Sequence, residues 1–126
     1  MAGKSPTSRT LAELRKSGTG CWQIVETFNH WSNTRSDLLG FIDILHICAV
    51  PPKIVGIQVT GGGNGSARRT KILTERREKA LAFLAAGGEI VIHDWVKRKL
   101  KRGGKAMRWR CRVTPITMAD FAEVFG

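Results

Sequence analysis

Two apolar runs divided by a pair of prolines constrain this chain more than any other feature. "DLLGFIDILHICAV", residues 37–50, and "KIVGIQVT", residues 53–60, are each rich in Ile, Leu and Val, and only Pro51 and Pro52 stand between them. Such runs read as strands, and proline, which lacks a ladder N–H, breaks a strand rather than continuing it. One antiparallel hairpin is therefore expected. Centring its turn on the prolines sets Asp43 opposite Thr60 and Leu45 opposite Gln58. Opposite residues share a face with Cβ atoms roughly 5 Å apart, and diagonal ones lie roughly 7–8 Å apart. Asp43 and Gln58 converge in this register, and a slip of one residue would part them.

Asp43 stands in the otherwise apolar "GFIDIL". A carboxylate buried there needs a partner to offset its desolvation. Two arrangements meet that need. In one, Asp43 caps a backbone segment or pairs with Arg35 or Arg68, and Gln58 completes its hydrogen bonds. In the other, the carboxylate and the Gln58 amide oxygen join waters around a divalent ion, since Mg²⁺ takes an octahedron of oxygens.

The remaining elements follow from periodicity and breakers. "TSRTLAELRKSG" offers Thr7 or Ser8 as a cap, Leu11 and Leu14 as an apolar stripe and Gly18 as a stop, which predicts a first helix. "CWQIVETFN", residues 21–29, reads as a strand, and "HWSNTRS" as a polar loop. After "GGGNGS" a long helix is expected from Ala67 to about Ala86, ended by Gly87 and Gly88. "EIVIHDWV" and "MRWRCRVTPI" are two further strands joined by a basic turn, and "TMADFAEVF" forms a closing helix or tail. The order αβββαββ predicts one α/β domain over residues 1–126, a central mixed sheet flanked by helices, with residues 1–6 as a flexible tail.

Charge narrows the partner. Lys and Arg number 21 against 10 Asp and Glu, a formal net charge of +11, which favours a polyanion through counterion release and steering. Nucleic acid leads and an anionic membrane surface is second. Between Lys97 and Arg112 there are nine Lys or Arg and no acid. Such a run is often only a solvated face, but in the last strand Arg108, Arg110 and Arg112 fall on one side and Met107, Trp109, Cys111 and Val113 on the other. An arginine stripe of that kind can track a phosphate backbone, and Arg68, Arg69, Lys71, Arg76 and Arg77 could extend it. Trp31, in the polar loop, is the tryptophan best placed to stack on a base.

Other chemistries are poorly served. Cys21, Cys48 and Cys111 share no metal-finger spacing with the scattered His30, His46 and His93, so reduced structural thiols are expected. The glycine loop lacks the P-loop lysine, and Ser66 sits where a dinucleotide fingerprint needs its third glycine. With no run of 18 apolar residues and no apolar core in "MAGKSPTSRT", a cytoplasmic protein without a membrane span is expected.

"RSDLLGFIDIL", then "KIVGIQVT", then a long basic helix, resembles the PD-(D/E)XK nuclease superfamily and, within it, small archaeal-type Holliday junction resolvases, over about residues 8–113. The resemblance implies a restriction-endonuclease-like core, αβββαβ with an extra strand here. It also implies a Mg²⁺- or Mn²⁺-dependent DNA endonuclease acting on branched DNA in recombination, and a homodimer. The family's motif is an aspartate ending the second core strand, then Glu or Gln, one residue and a lysine on the third. Asp43 and Gln58 match its first positions, and "GFID" matches the G-x-x-D form. The resemblance further implies that Glu13, on the first helix, joins the metal with Asp43, Gln58 and the Val59 carbonyl, and that Asp37 is another source of a second carboxylate. Thr60 departs from the pattern at the lysine position. Lys71 on the following helix is the first substitute for that cation, and Arg68 and Arg69 come next. An inactive nucleic-acid-binding relative is the alternative that Thr60 favours. A basic RNA-binding structural protein is a third reading, and it leaves Asp43 unexplained.

Overall fold

The computed structural model describes residues 5–125, and elements are numbered in chain order. Helix α1 spans Pro6–Ser17, with proline at its first position, where no intrahelical N–H is needed. Its cap is Ser5, whose Oγ accepts from the Ser8 N–H at 3.1 Å, so the cap precedes the expected Thr7 or Ser8. Gly18 ends the helix at φ 68°, its N–H donating to the Leu14 carbonyl. Of the expected tail, residues 1–4 lie outside the described residues, while Ser5 and Pro6 belong to the helix start.

The expected strand 21–29 is two elements, β1 (Cys21–Ile24) and β2 (Thr27–Asn29). β2 pairs with β3 (Thr34–Ser36) in a small hairpin separate from the main sheet, so part of the expected polar loop is strand. The first run around the prolines is strand only over β4 (Ile44–Ala49). Residues 37–43 instead form a turn, with Leu39 and Gly40 in the left-handed region and a bridge between Leu38 and Ile42. The arm β5 (Pro52–Gly61) pairs with β4 so that Leu45 faces Gly56 and Ile44 faces Ile57. That register lies two residues from the expected one, because the turn closes on Val50 and Pro51 and Pro52 is already in the strand. A shift of two keeps every side chain on its face, and it brings Asp43 level with Gln58.

The expected long helix is two, α2 (Gly65–Thr74) and α3 (Arg77–Ala85). Thr70 and Thr74 bond back to the carbonyls of Ser66 and Thr70, a pattern that bends helices, and Arg76 leaves the helix to donate from Nε to the Gly40 carbonyl at 3.2 Å. The break lets Ile72, Leu73 and Ala80 reach one core. β6 (Glu89–Lys99), β7 (Met107–Ile116) and α4 (Met118–Phe125) complete the chain.

The result is an α/β domain with a mixed sheet in the order β1-β4-β5-β6-β7. Only β5 and β6 run parallel, and α2 and α3 make the crossover that such a pair requires. On one face Leu14 of α1 packs against Ile44, Val55 and Ile57. On the other, Ile72, Leu73, Ala80 and Phe121 cover Ile42, Ile90, Ile92 and Ile116. No helix is long and apolar enough to cross a membrane among the described residues.

Candidate metal centre

Asp43 ends the turn that precedes β4 and is 5% exposed. Its Oδ2 accepts from the Val59 N–H at 2.7 Å and from Gln58 Nε2 at 3.0 Å, so the expected convergence of Asp43 with Gln58 holds. Gln58 thus spends its amide NH₂ on the carboxylate, and its Oε1 remains for the adjoining cleft. The N–H and C=O of a strand residue project to the same side, which turns the Val59 carbonyl toward Asp43 as well.

Two more carboxylates stand beside Asp43. Glu26 and Asp37 flank the β2–β3 hairpin, and its pairing of Thr27 with Ser36 draws its two feet together. Ligand oxygens of Glu26, Asp37 and Asp43 lie within 4.8 Å of one another, close enough to hold a metal ion. Burial pushes the Asp43 carboxyl up to about 7, opposed by the Val59 hydrogen bond and reinforced by Asp37 and Glu26. All donors are oxygens, and this fits a hard divalent ion better than a soft one.

The cluster lines a cleft of about 430 Å³, together with Gln58, Thr60, Arg35 and Arg68. Arg35 Nη1 bonds Glu26 Oε1 at 3.0 Å and holds that carboxylate in place. Arg68, on the first turn of α2, brings a second guanidinium into the cleft. Lys71, the expected substitute cation, sits three residues farther along the helix, about 4.5 Å at 1.5 Å per residue, and does not line the cleft. Arg69 turns away and pairs with Asp120 at 3.0 Å. Thr60 is 7% exposed and contributes a wall, not a charge.

Glu13 does not join the cluster. The cleft meets α1 at its first turn, Pro6 and Thr7, and Glu13 lies six residues beyond Thr7, about 9 Å along the helix axis. It lines a different cleft with His93, Trp95, Trp109 and Cys111. That region is structural: the Thr10 hydroxyl accepts from Trp95 Nε1 at 2.9 Å and lies 3.2 Å from His93 Nδ1. Burial lowers the His93 pKa, against the pull of Glu13, and burial pushes the Cys111 thiol up to about 11. All three cysteines are free. Glu26 is the carboxylate of this cluster that sequence reasoning missed, although an acid inside "CWQIVETFN" is the same kind of signal as Asp43 in "GFIDIL".

The glycine loop also has an internal task. Asp94, 3% exposed on β6, accepts from the Gly63 N–H at 3.2 Å and the Gly65 N–H at 2.9 Å. Gly62 and Gly63 take φ of 69° and 83°, which lets the loop wrap that carboxylate. These two N–H donors of the loop are therefore filled by the protein's own anion and not left for a phosphate. Asp94→Ala is expected to cost about 2 kcal/mol by stranding two N–H groups at the start of α2. Urea unfolding checks it, and a change below about 0.5 kcal/mol would mean that water replaces the carboxylate at no loss.

Compared with protein-family models, with curated proteins and with solved structures, the chain finds no significant match in any of the three, so the reading of this centre rests on its own geometry.

Proposed function

We propose that the chain is a metal-dependent DNA endonuclease that hydrolyses phosphodiester bonds, of the PD-(D/E)XK type that its sequence resembles, with branched DNA such as a Holliday junction among its substrates. The observation that carries this reading is the grouping of Glu26, Asp37 and Asp43 in one cleft that also holds Arg35 and Arg68. Three acids alone would repel a phosphodiester, and two arginines alone would only bind one. Together they suit a cation and a phosphate side by side.

Glu26, Asp37 and Asp43 would hold Mg²⁺ or Mn²⁺, with Gln58 Oε1 and the Val59 carbonyl as further oxygens. When bound, the ion supplies a water of lowered pKa and neutralises charge on the scissile phosphate. The protein's own groups do the rest. Val59 N–H and Gln58 Nε2 fix the orientation of Asp43, Arg35 fixes Glu26, and Arg68 is free to meet the phosphate oxygens and the charge they gain in the transition state. Two such clefts in a two-fold dimer would address both strands of a junction.

The second reading, a DNA-binding protein without hydrolysis, is favoured by Thr60 at the position of the motif's lysine. One assay decides between them. Purified protein is incubated with four-way junction, nicked, duplex and single-stranded DNA in Mg²⁺, Mn²⁺ or EDTA. Metal-dependent strand scission that disappears in Asp43→Ala is the expected result; retention of all four DNAs uncut in both metals overturns the enzyme in favour of the binder.

A further inference from the structure

β5 ends level with Trp95, where Gly61 is its last paired residue, but β6 runs on to Lys99 with only β7 beside it. The pairs from Val96–Arg110 to Lys99–Met107 thus form a two-stranded ribbon clear of the sheet, roughly 13 Å long at about 3.4 Å per residue. Leu100 N–H bonds the Ala106 carbonyl and Gly104 N–H bonds the Lys101 carbonyl, so the tip is a closed turn and not a loose loop. Opposite residues share a face. Arg98 faces Arg108, with Arg110 beside them, and the other face carries Lys97 and Lys99. Lys101, Arg102 and Lys105 surround the tip. Every one of these cations is exposed.

Charge on a free edge guards a sheet against aggregation. Guarding does not explain an arginine placed directly opposite another arginine, which is unfavourable unless an anion lies between or beside them. Nor does it explain cations on both faces and the tip with no acid among them. A B-form major groove, about 12 Å wide and 8.5 Å deep, admits a two-stranded ribbon and lines it with phosphates on both walls. Because β5 and β6 are parallel, the root of the ribbon and the carboxylate cleft sit at the same end of the sheet. At about 4.8 Å per strand, Asp43, just before β4, lies on the order of 12 Å to the side of the ribbon's midline, close to the width of that groove.

We propose that the β6–β7 ribbon enters the major groove of a duplex DNA arm and sets the cleft against the phosphate backbone at the groove's edge. The proposal rests on DNA as the partner, and it needs no hydrolysis. Arg98, Arg108 and Arg110 meet one wall, Lys97 and Lys99 the other, and the tip reaches the floor. An A-form RNA duplex, whose major groove is deep and narrow, is excluded by the same geometry.

The test is binding of the full chain in EDTA, by fluorescence anisotropy, to a DNA duplex, the same duplex with glucosylated hydroxymethylcytosine filling the major groove, and the RNA duplex of that sequence. Filling the groove should weaken wild-type binding at least tenfold, and RNA should bind at least tenfold more weakly than DNA. The triple variant Arg98→Gln, Arg108→Gln, Arg110→Gln should lose at least tenfold on the open duplex, become indifferent to glucosylation, and show a log–log salt slope shallower by about 2.7. A second set, Lys101→Ser, Arg102→Ser and Lys105→Ser, alters only the tip and should move the same readouts if the first set fails to fold. Equal affinity for filled and open grooves, equal affinity for RNA, or an unchanged slope in both sets overturns the proposal. A protein that passes these tests yet never cuts DNA overturns the nuclease reading alone, and one that cuts while indifferent to the groove overturns the ribbon alone.

Discussion

Asp43→Asn is expected to raise the melting temperature of the metal-free protein at pH 8 and to abolish its response to Mg²⁺. The carboxyl of Asp43 is pushed from 3.8 up to about 7, first by burial and then by Asp37 and Glu26. A carboxyl whose folded pKa lies above its unfolded value keeps a proton in the native state that the unfolded chain gives up. Its contribution is favourable below the unfolded pKa, is lost as pH rises from about 4 to about 7, and leaves native wild type under strain above that window. Allowing for screening in an open cleft, the penalty is on the order of 3 kcal/mol, or roughly 10 °C in Tm for a chain of this size. Asparagine keeps an oxygen for the Val59 N–H and carries no charge, so the variant gains most of that difference at pH 8 and almost none at pH 4. Wild type should recover the same energy from the metal, about 2.7 kcal/mol at one hundred times Kd. Calorimetry over pH 4–8, with and without Mg²⁺, reads both effects; a variant less stable than wild type at pH 8, or one still stabilised by Mg²⁺, would contradict the assignment of Asp43.

How much of this centre the sequence reveals depends on the range over which each residue is placed. Asp43 and Gln58 were legible because a strand alternates with period two, and the actual register differs from the expected one by an even step. Glu26 and Asp37 are brought together by a hairpin only three pairs long, built from exposed residues of which Phe28 alone is apolar, so no apolar pattern announces that its feet meet. The central mixed sheet flanked by helices was readable from the order of runs. The break between α2 and α3 was not, since it follows from Arg76 reaching a carbonyl 36 residues earlier. Glu13 illustrates a different limit: a helix face can be read from spacing, but how far along its neighbour the helix starts cannot, and the earlier cap at Ser5 fixes where α1 meets the cleft.

Arg68→Ala is expected to lower the rate of metal-dependent cleavage by about 10²–10³-fold, the loss that follows removal of one preorganised electrostatic contact to a transition state. Lys71→Ala should change it less than about threefold, since a cation outside the cleft acts only through screened solvent. The two variants separate a charge in the site from charge on the helix, for each removes one positive unit from α2. Thr60 supplies the converse. Its side chain lines the cleft next to Gln58, so Thr60→Lys would place an ammonium where the motif of the resembling nucleases has one. On the proposed mechanism Arg68 already fills the role in wild type, and the gain should be small. Combined with Arg68→Ala, it should restore cleavage at least tenfold over the single variant while leaving Arg68→Ala/Thr60→Val unrescued. Single-turnover kinetics on a junction substrate at saturating protein measure the step directly, free of changes in DNA affinity. Full activity in Arg68→Ala would remove the arginine from the reaction; a strong loss in Lys71→Ala would show that α2 turns Lys71 into the site when DNA is bound.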